Sequence, residues 1–205
     1  SSVDRYYAIG LTYANGPLNL AAVVDQTNFS TTKWNGVDWG NPVDDALTVT
    51  VGGNYDFQVV KLYAGAQYFD NADLNSIDNI FSKDFALSPA QTERFQVKGY
   101  GLTIGADIPA AGGTFKVATS YLDGTIDTVN GWDMATAIGA TFGEIDISRW
   151  NTSAGYLYSL SKRTSLYGVA SYSYQTVKGQ KDFNGYSLDV APTVIEVAAG
   201  IVHKF

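Results

Sequence analysis

The sequence predicts an all-β chain, an antiparallel β-barrel that crosses a membrane on its strands. Three observations carry this. Segments close to the roughly 9–11 residues a barrel strand needs alternate apolar and polar side chains. The connections between them alternate short and long. Aromatic residues recur near strand ends.

Composition agrees. The 205 residues are 45% hydrophobic at a mean hydropathy of −0.06, and no segment approaches the ~20 apolar residues of a membrane helix. A strand with one apolar face averages out in hydropathy, so a membrane is not excluded. Tyr 14, Phe 10 and Trp 4 beside Gly 21 suit strands with interfacial aromatics and tight turns. The absence of cysteine excludes a disulfide scaffold and a thiolate metal site. A net charge of −7 speaks against nucleic acid as a partner.

Taken in order, the first strand is Arg5 to Ala14 and the second Leu18 to Gln26, joined by Asn15-Gly16-Pro17. Glycine and proline there punctuate a hairpin. A long polar loop runs from Thr27 to about Asp45. Strands at Leu47 to Tyr55 and Val59 to Phe69 flank a short turn at Asp56-Phe57, and a second long loop covers Asp70 to Arg94. Strands at Gln96 to Ile108 and Thr114 to Leu122 enclose the Ala110-Ala111-Gly112-Gly113 turn. A third loop, Asp123 to Ser148, leads to the hairpin Trp150 to Ser159 and Ser165 to Thr176, which turns around Lys162 and Arg163. A fourth loop, Lys178 to Pro192, precedes the last strand, Val194 to Phe205. Connections that alternate in this way put tight turns at one end and large loops at the other, as in outer-membrane barrels. Met134 to Ile147 also reads as a strand. Counting it would move Phe205 to the loop end; a structured loop is the preferred reading only because the resemblance given below implies that Phe205 sits at the tight-turn end.

Residues i, i+2 and i+4 of a strand share a face. Val60, Leu62, Ala64, Ala66 and Tyr68 therefore oppose Lys61, Tyr63, Gly65 and Gln67. Leu47, Val49, Val51 and Tyr55 oppose Thr48, Thr50, Gly52 and Asn54. Trp150, Thr152, Ala154, Tyr156 and Tyr158 oppose Arg149, Asn151, Ser153 and Gly155. The apolar sets are expected to meet lipid and the polar sets water. The pore-lining residues expected on this basis are Lys61, Gln67, Lys116, Arg149 and Asn151, with the three cations biasing the wall toward anions. A soluble sandwich would instead bury the apolar set, leaving Tyr and Trp polar groups at strand ends without evident partners.

Catalytic chemistry is sparse. The single histidine, His203, stands at the end opposite the long loops, with no nucleophile or acid set around it. No phosphate loop, dinucleotide fingerprint or zinc spacing is present, and Gly99, Gly101 and Gly105 lie in an alternating strand. Acids cluster in the loops: Asp44, Asp45, Asp70, Asp73, Asp78, Asp84, Asp123, Asp127, Asp133, Glu144, Asp146 and Asp182. They lack fixed calcium-ligand spacing and read as solvated, with bridging of divalent cations to lipopolysaccharide as the other possibility. No catalytic residue, metal site or cofactor is expected.

The SLSKRTSLYG turn (159–168), the terminal HKF and the NGPLNLAAVV stretch from Asn15 to Val24 resemble a general bacterial porin of the neisserial, beta-proteobacterial type. That resemblance implies a sixteen-stranded barrel, commonly trimeric, in the bacterial outer membrane. It implies that Phe205 closes the barrel at the tight-turn end, where such strands are recognised for assembly. About nine strands are supplied here. The 205 residues then form a single barrel domain, the C-terminal portion of a longer porin seen in mature or truncated form. The missing N-terminal strands come from the same protein or another chain, since an open sheet leaves its edges unsatisfied in a bilayer. Lipid, lipopolysaccharide and two further copies are the expected partners. A smaller closed barrel of eight or ten strands, acting as an adhesin or anchor, is the alternative.

Overall fold

The computed structural model describes residues 3–29, 33–34, 37–38, 44–73, 96–126, 144–179 and 188–204. Its strands are β1 (Arg5–Asn15), β2 (Leu18–Asn28), β3 (Lys33–Trp34), β4 (Val37–Asp38), β5 (Ala46–Asp56), β6 (Lys61–Asp73), β7 (Gln96–Ala110), β8 (Gly113–Ile126), β9 (Ile145–Ser159), β10 (Thr164–Gly179), β11 (Leu188–Val190) and β12 (Thr193–His203). All but the small β3–β4 hairpin belong to one ten-stranded sheet in the order β1-β2-β5-β6-β7-β8-β9-β10-β11, with β12 also on β10. β11 pairs residues 177–179 and β12 pairs residues 164–174 of the same strand. They are thus one ribbon interrupted at Ala191-Pro192, where proline cannot donate to the ladder. Among the described residues the sheet is nine ribbons wide and antiparallel throughout.

Turn chemistry sets the registers. Gly16, at φ 56°, and Pro17 form the two-residue loop that places Asn15 opposite Leu18. Glycine first is the requirement of a type II′ hairpin. Ala111 (φ 49°) and Gly112 (φ 79°) both take the left-handed conformation of a type I′ turn, with Ala110 opposite Gly113. The β5–β6 turn spans 57–60, where the Phe57 N–H donates to the Val60 carbonyl at 2.9 Å. The Asp56 carboxylate accepts the N–H of Gln58 at 2.7 Å. Val59 and Val60, expected to open a strand, lie in this turn. In the last hairpin, the Ser161 hydroxyl accepts the N–H groups of Arg163 and Thr164.

The third loop is shorter than its sequence suggests. β8 continues to Ile126 and β9 begins at Ile145, and the two pair along their length from Gly113↔Tyr158 to Ile126↔Ile145. No strand therefore lies between them in the sheet. Ile145 to Ile147 belong to β9; residues 134–143 lie outside the described residues. Strand parity holds, and the chain end follows it. His203 pairs with Thr164, and the Lys204 N–H donates to the Arg163 carbonyl at 2.8 Å, beside the tight turn. Phe205 itself lies outside the described residues.

β6 and β7 shift register between Phe69 and Ala72, and Asn71 in the shift has φ 55°. Asn is among the residues that tolerate this conformation. The best-buried side chains cluster near this level. Val97 is 0% and Ile147 1% exposed, joined by Phe69, Ile126, Ile145 and Val177.

Candidate functional site

Following the ladders across the sheet sorts the side chains into two continuous faces. One carries Leu11, Ala22, Val51, Ala64, Ile104, Val117, Thr152 and Ala170 through its middle, all on one parity of the registers. Aromatics bound it. Toward the loops, Tyr100, Tyr121 and Trp150 follow each other at ring centroids 6.3 Å and 6.0 Å apart. Toward the turns, Tyr55 meets Phe57 at 4.4 Å and Tyr156 stacks with Tyr158 at 6.4 Å. The Tyr156 hydroxyl donates to the Ala110 and Ala111 carbonyls, tying this row to the turn backbone. From Tyr100 to Ile108, opposite Phe115, eight steps at ~3.4 Å cover about 27 Å along the strand, or roughly 20 Å of height at a tilt near 40°. This is close to the apolar band of an outer-membrane barrel.

The apolar face is exposed, and most so at the two edges. Ile9 and Leu11 on β1 are 72% and 76% exposed and Val197 on β12 is 79%, against 44% for Leu62 in the middle. The difference arises because an edge strand lacks a neighbour on one side. Among the described residues no ladder joins β1 to β12.

The opposite face carries the five residues singled out in the sequence: Lys61, Gln67, Lys116, Arg149 and Asn151. Gln67, Gly101, Leu122 and Arg149 stand in one row across β6 to β9. In the next row, Asn151 donates from Nδ2 to the Ser173 hydroxyl at 2.6 Å. Arg149 stands between Leu122 and Gln175 with no carboxylate partner among the described residues.

The two lysines do not act as the free cations expected to bias the wall toward anions. Asp107 lies between them in register, opposite Lys61 on one side and Lys116 on the other. Lys116 Nζ is 2.5 Å from Asp107 Oδ2, which also accepts the Tyr63 hydroxyl at 3.0 Å. Lys61 Nζ sits 5.5 Å from the centroid of the Tyr63 ring, and Asp56 faces Lys61 from β5. The row reads Asp56, Lys61, Asp107, Lys116, alternating in sign, so neighbouring fields cancel. Asp25 and Glu196 occupy the same face, and Glu196 accepts the Ser171 hydroxyl at 3.3 Å. Asp25, Asp56, Asp107 and Glu196 thus offset Lys61, Lys116 and Arg149.

Alternation along single strands does not bring Asp107 to the lysines; pairing between strands does. The signal was present: a two-residue turn at Ala111-Gly112 makes paired positions sum to a constant, which puts 107 opposite 116. Of the acids assigned to loops, Asp70, Asp73, Asp123 and Asp146 belong to strands. Asp70 receives Lys98 at 3.4 Å, and Asp45 accepts from Asn28 and from the Phe29 N–H. Asp78, Asp84, Asp127, Asp133 and Asp182 lie outside the described residues. His203 Nδ1 is 2.9 Å from the Thr164 hydroxyl, with which it is paired across the ladder.

Three comparisons bear on this architecture. A family model described as Gram-negative porin matches residues 1–180. An outer membrane porin protein of Bordetella pertussis is 30% identical over 208 residues, which is 100% of this chain and 48% of the relative. Among solved structures, an anion-selective porin from Comamonas acidovorans superimposes with a TM-score of 0.58 at 22% identity, over 98% of this chain and 49% of that one. At that identity the likeness speaks for the fold. The chain spans about half the length of these relatives. An all-β antiparallel sheet, apolar and banded by aromatics on one side and polar on the other, and a family match over most of its length lead to one assignment: the chain belongs to the Gram-negative porin family, proteins of the bacterial outer membrane.

Proposed function

We propose that this chain is the C-terminal portion of a trimeric outer-membrane porin through which ions and small hydrophilic solutes diffuse passively. The observation that carries the reading is the separation of faces across all nine ribbons. An apolar face between aromatic rows matches lipid, and a face bearing Lys61, Gln67, Lys116, Arg149 and Asn151 matches a water-filled lumen. A channel of this kind needs no catalytic group.

The strand count supports a reading of what completes it. With nine antiparallel ribbons among the described residues, β1 and β12 point the same way, so joining them directly would need a parallel ladder. The completing segment therefore supplies an odd number of strands, and seven would give sixteen. The same count weighs against a self-contained barrel of eight or ten strands. On this reading lipid covers the apolar band, and the loop-end carboxylates, such as Asp44, are solvated, with bridging to lipopolysaccharide through divalent cations as the alternative role.

An anion preference such as that named for the Comamonas relative would have to come, in this half of the wall, from Arg149, because Lys61 and Lys116 are matched by Asp56 and Asp107 and the same face also carries Asp25 and Glu196. The test is conductance of the assembled pore in a planar bilayer. Stable, ohmic steps support the reading, and a purified barrel that inserts without conducting contradicts it.

A further inference from the structure

The polar face contains a hollow of about 400 Å³ beside the alternating charge row. Gly105, Ala118 and Gly155 are among its lining residues and contribute only one methyl group between them. Tyr63 and Tyr167 stand on its rim, and the Tyr167 phenol lies over Gly200, where a Cβ would come within 2.6 Å of its oxygen. Asp107, Lys116, Thr103 and Ser153 complete the lining.

Several of these polar groups have capacity left. Asp107 engages its neighbours through Oδ2 alone, leaving Oδ1 as an acceptor. Lys116 keeps two N–H donors beyond the one aimed at Asp107. The hydroxyls of Thr103, Ser153 and Tyr167 make no side-chain hydrogen bond among the described residues. At the Lys116–Asp107 pair the hollow therefore offers donors and an acceptor side by side, next to the Tyr63 ring, within a volume in the range of ligand clefts.

Its charge pattern selects the ligand class. An anion approaching Lys116 meets Asp107 at contact distance, and a cation approaching Asp107 meets Lys116 and Lys61. A neutral solute with adjacent hydroxyls meets neither penalty. It can donate to Asp107 Oδ1 and accept from Lys116 at once, while its C–H surface lies against tyrosine.

We propose that this hollow is a binding station for neutral polyhydroxylated solutes of monosaccharide size on the pore wall. The inference rests on the pore reading above. Glucose is added to the assembled pore in a planar bilayer and the ion current recorded against concentration, with glycine as a zwitterionic probe of the same charge pair. The expected result is a saturable fall in current with glucose, with glycine, whose two charges can also meet the pair, saturating only at higher concentration. Asp107→Asn/Lys116→Met should raise the half-saturating glucose concentration about tenfold or more, since hydrogen bonds to charged groups are lost. Thr103→Val, which leaves the ion pair intact, should weaken block by a smaller factor. A current that never saturates with glucose, saturation unchanged in both variants, or glycine blocking at lower concentration than glucose overturns the station. A protein that gives no conductance steps before sugar is added overturns the pore reading as well, so the two failures are told apart.

Discussion

Lys116 holds the Asp107 carboxylate at 2.5 Å across the β7–β8 ladder, with Lys61 opposite the same carboxylate from β6. Removing either partner of the close pair exposes the other's charge to the lumen. Asp107→Asn should shift the reversal potential in a salt gradient toward anions, and Lys116→Met toward cations. The double variant should return close to the parent. The pair is partly exposed, so its coupling in stability is only about 0.2–1 kcal/mol. Equal shifts of the same sign in both single variants would contradict the pairing.

Arg149 has no carboxylate across from it among the described residues, and its removal should act alone. Arg149→Ala should move the reversal potential toward cations by more than Lys61→Ala does, because Lys61 faces Asp56 and Asp107. A larger effect from Lys61 would mean that the register row does not cancel its field.

Much of this was legible in the sequence. The alternation of Leu62, Ala64 and Ala66 against Lys61, Tyr63 and Gln67 gave the two faces, and the rhythm of short and long connections gave the strand parity. What escaped notice depends on contacts between strands. Ile145 and Ile147 alternate with Asp146 in a stretch that also suits a loop, and their place in β9 comes from pairing with β8 and β10. The register shift at Phe69 and Ala72 hides the pairing of Lys61 with Asp107, because no short turn fixes it. Phe69, Val97, Ile147 and Val177 lie on the otherwise polar face and are buried, an exception that alternation alone does not announce.

That burial gives a stability prediction. Ile147 is 1% exposed, and Ile147→Ala should destabilise the assembled barrel by roughly 2–5 kcal/mol, the range for large-to-small changes in packed sites. Urea unfolding from lipid vesicles reads it directly. A loss under about 0.5 kcal/mol, the level of surface substitutions, would mean that the site is not packed in the assembled barrel.

Ala111 takes φ 49° in the type I′ turn, a conformation costing an L-residue with a Cβ about 1–2 kcal/mol. Ala111→Gly should relieve that strain and stabilise the barrel by up to about 1 kcal/mol, while Gly112→Val should destabilise it. Both are read in the same urea titration, and opposite signs would refute the turn assignment.

The most direct test of the central claim, that the Lys61–Gln67–Asn151 face lines water and the Leu62–Ala154 face meets lipid, uses the absence of cysteine from this chain. Single substitutions Thr50→Cys, Gln67→Cys and Asn151→Cys on one face, and Val49→Cys, Leu62→Cys and Ala154→Cys on the other, are exposed in assembled single pores to a charged, membrane-impermeant thiol reagent. The first three should react and step the conductance down, and the second three should leave it unchanged. Reaction at Leu62→Cys and Ala154→Cys with silence at Gln67→Cys and Asn151→Cys would invert the barrel and contradict the assignment of its faces.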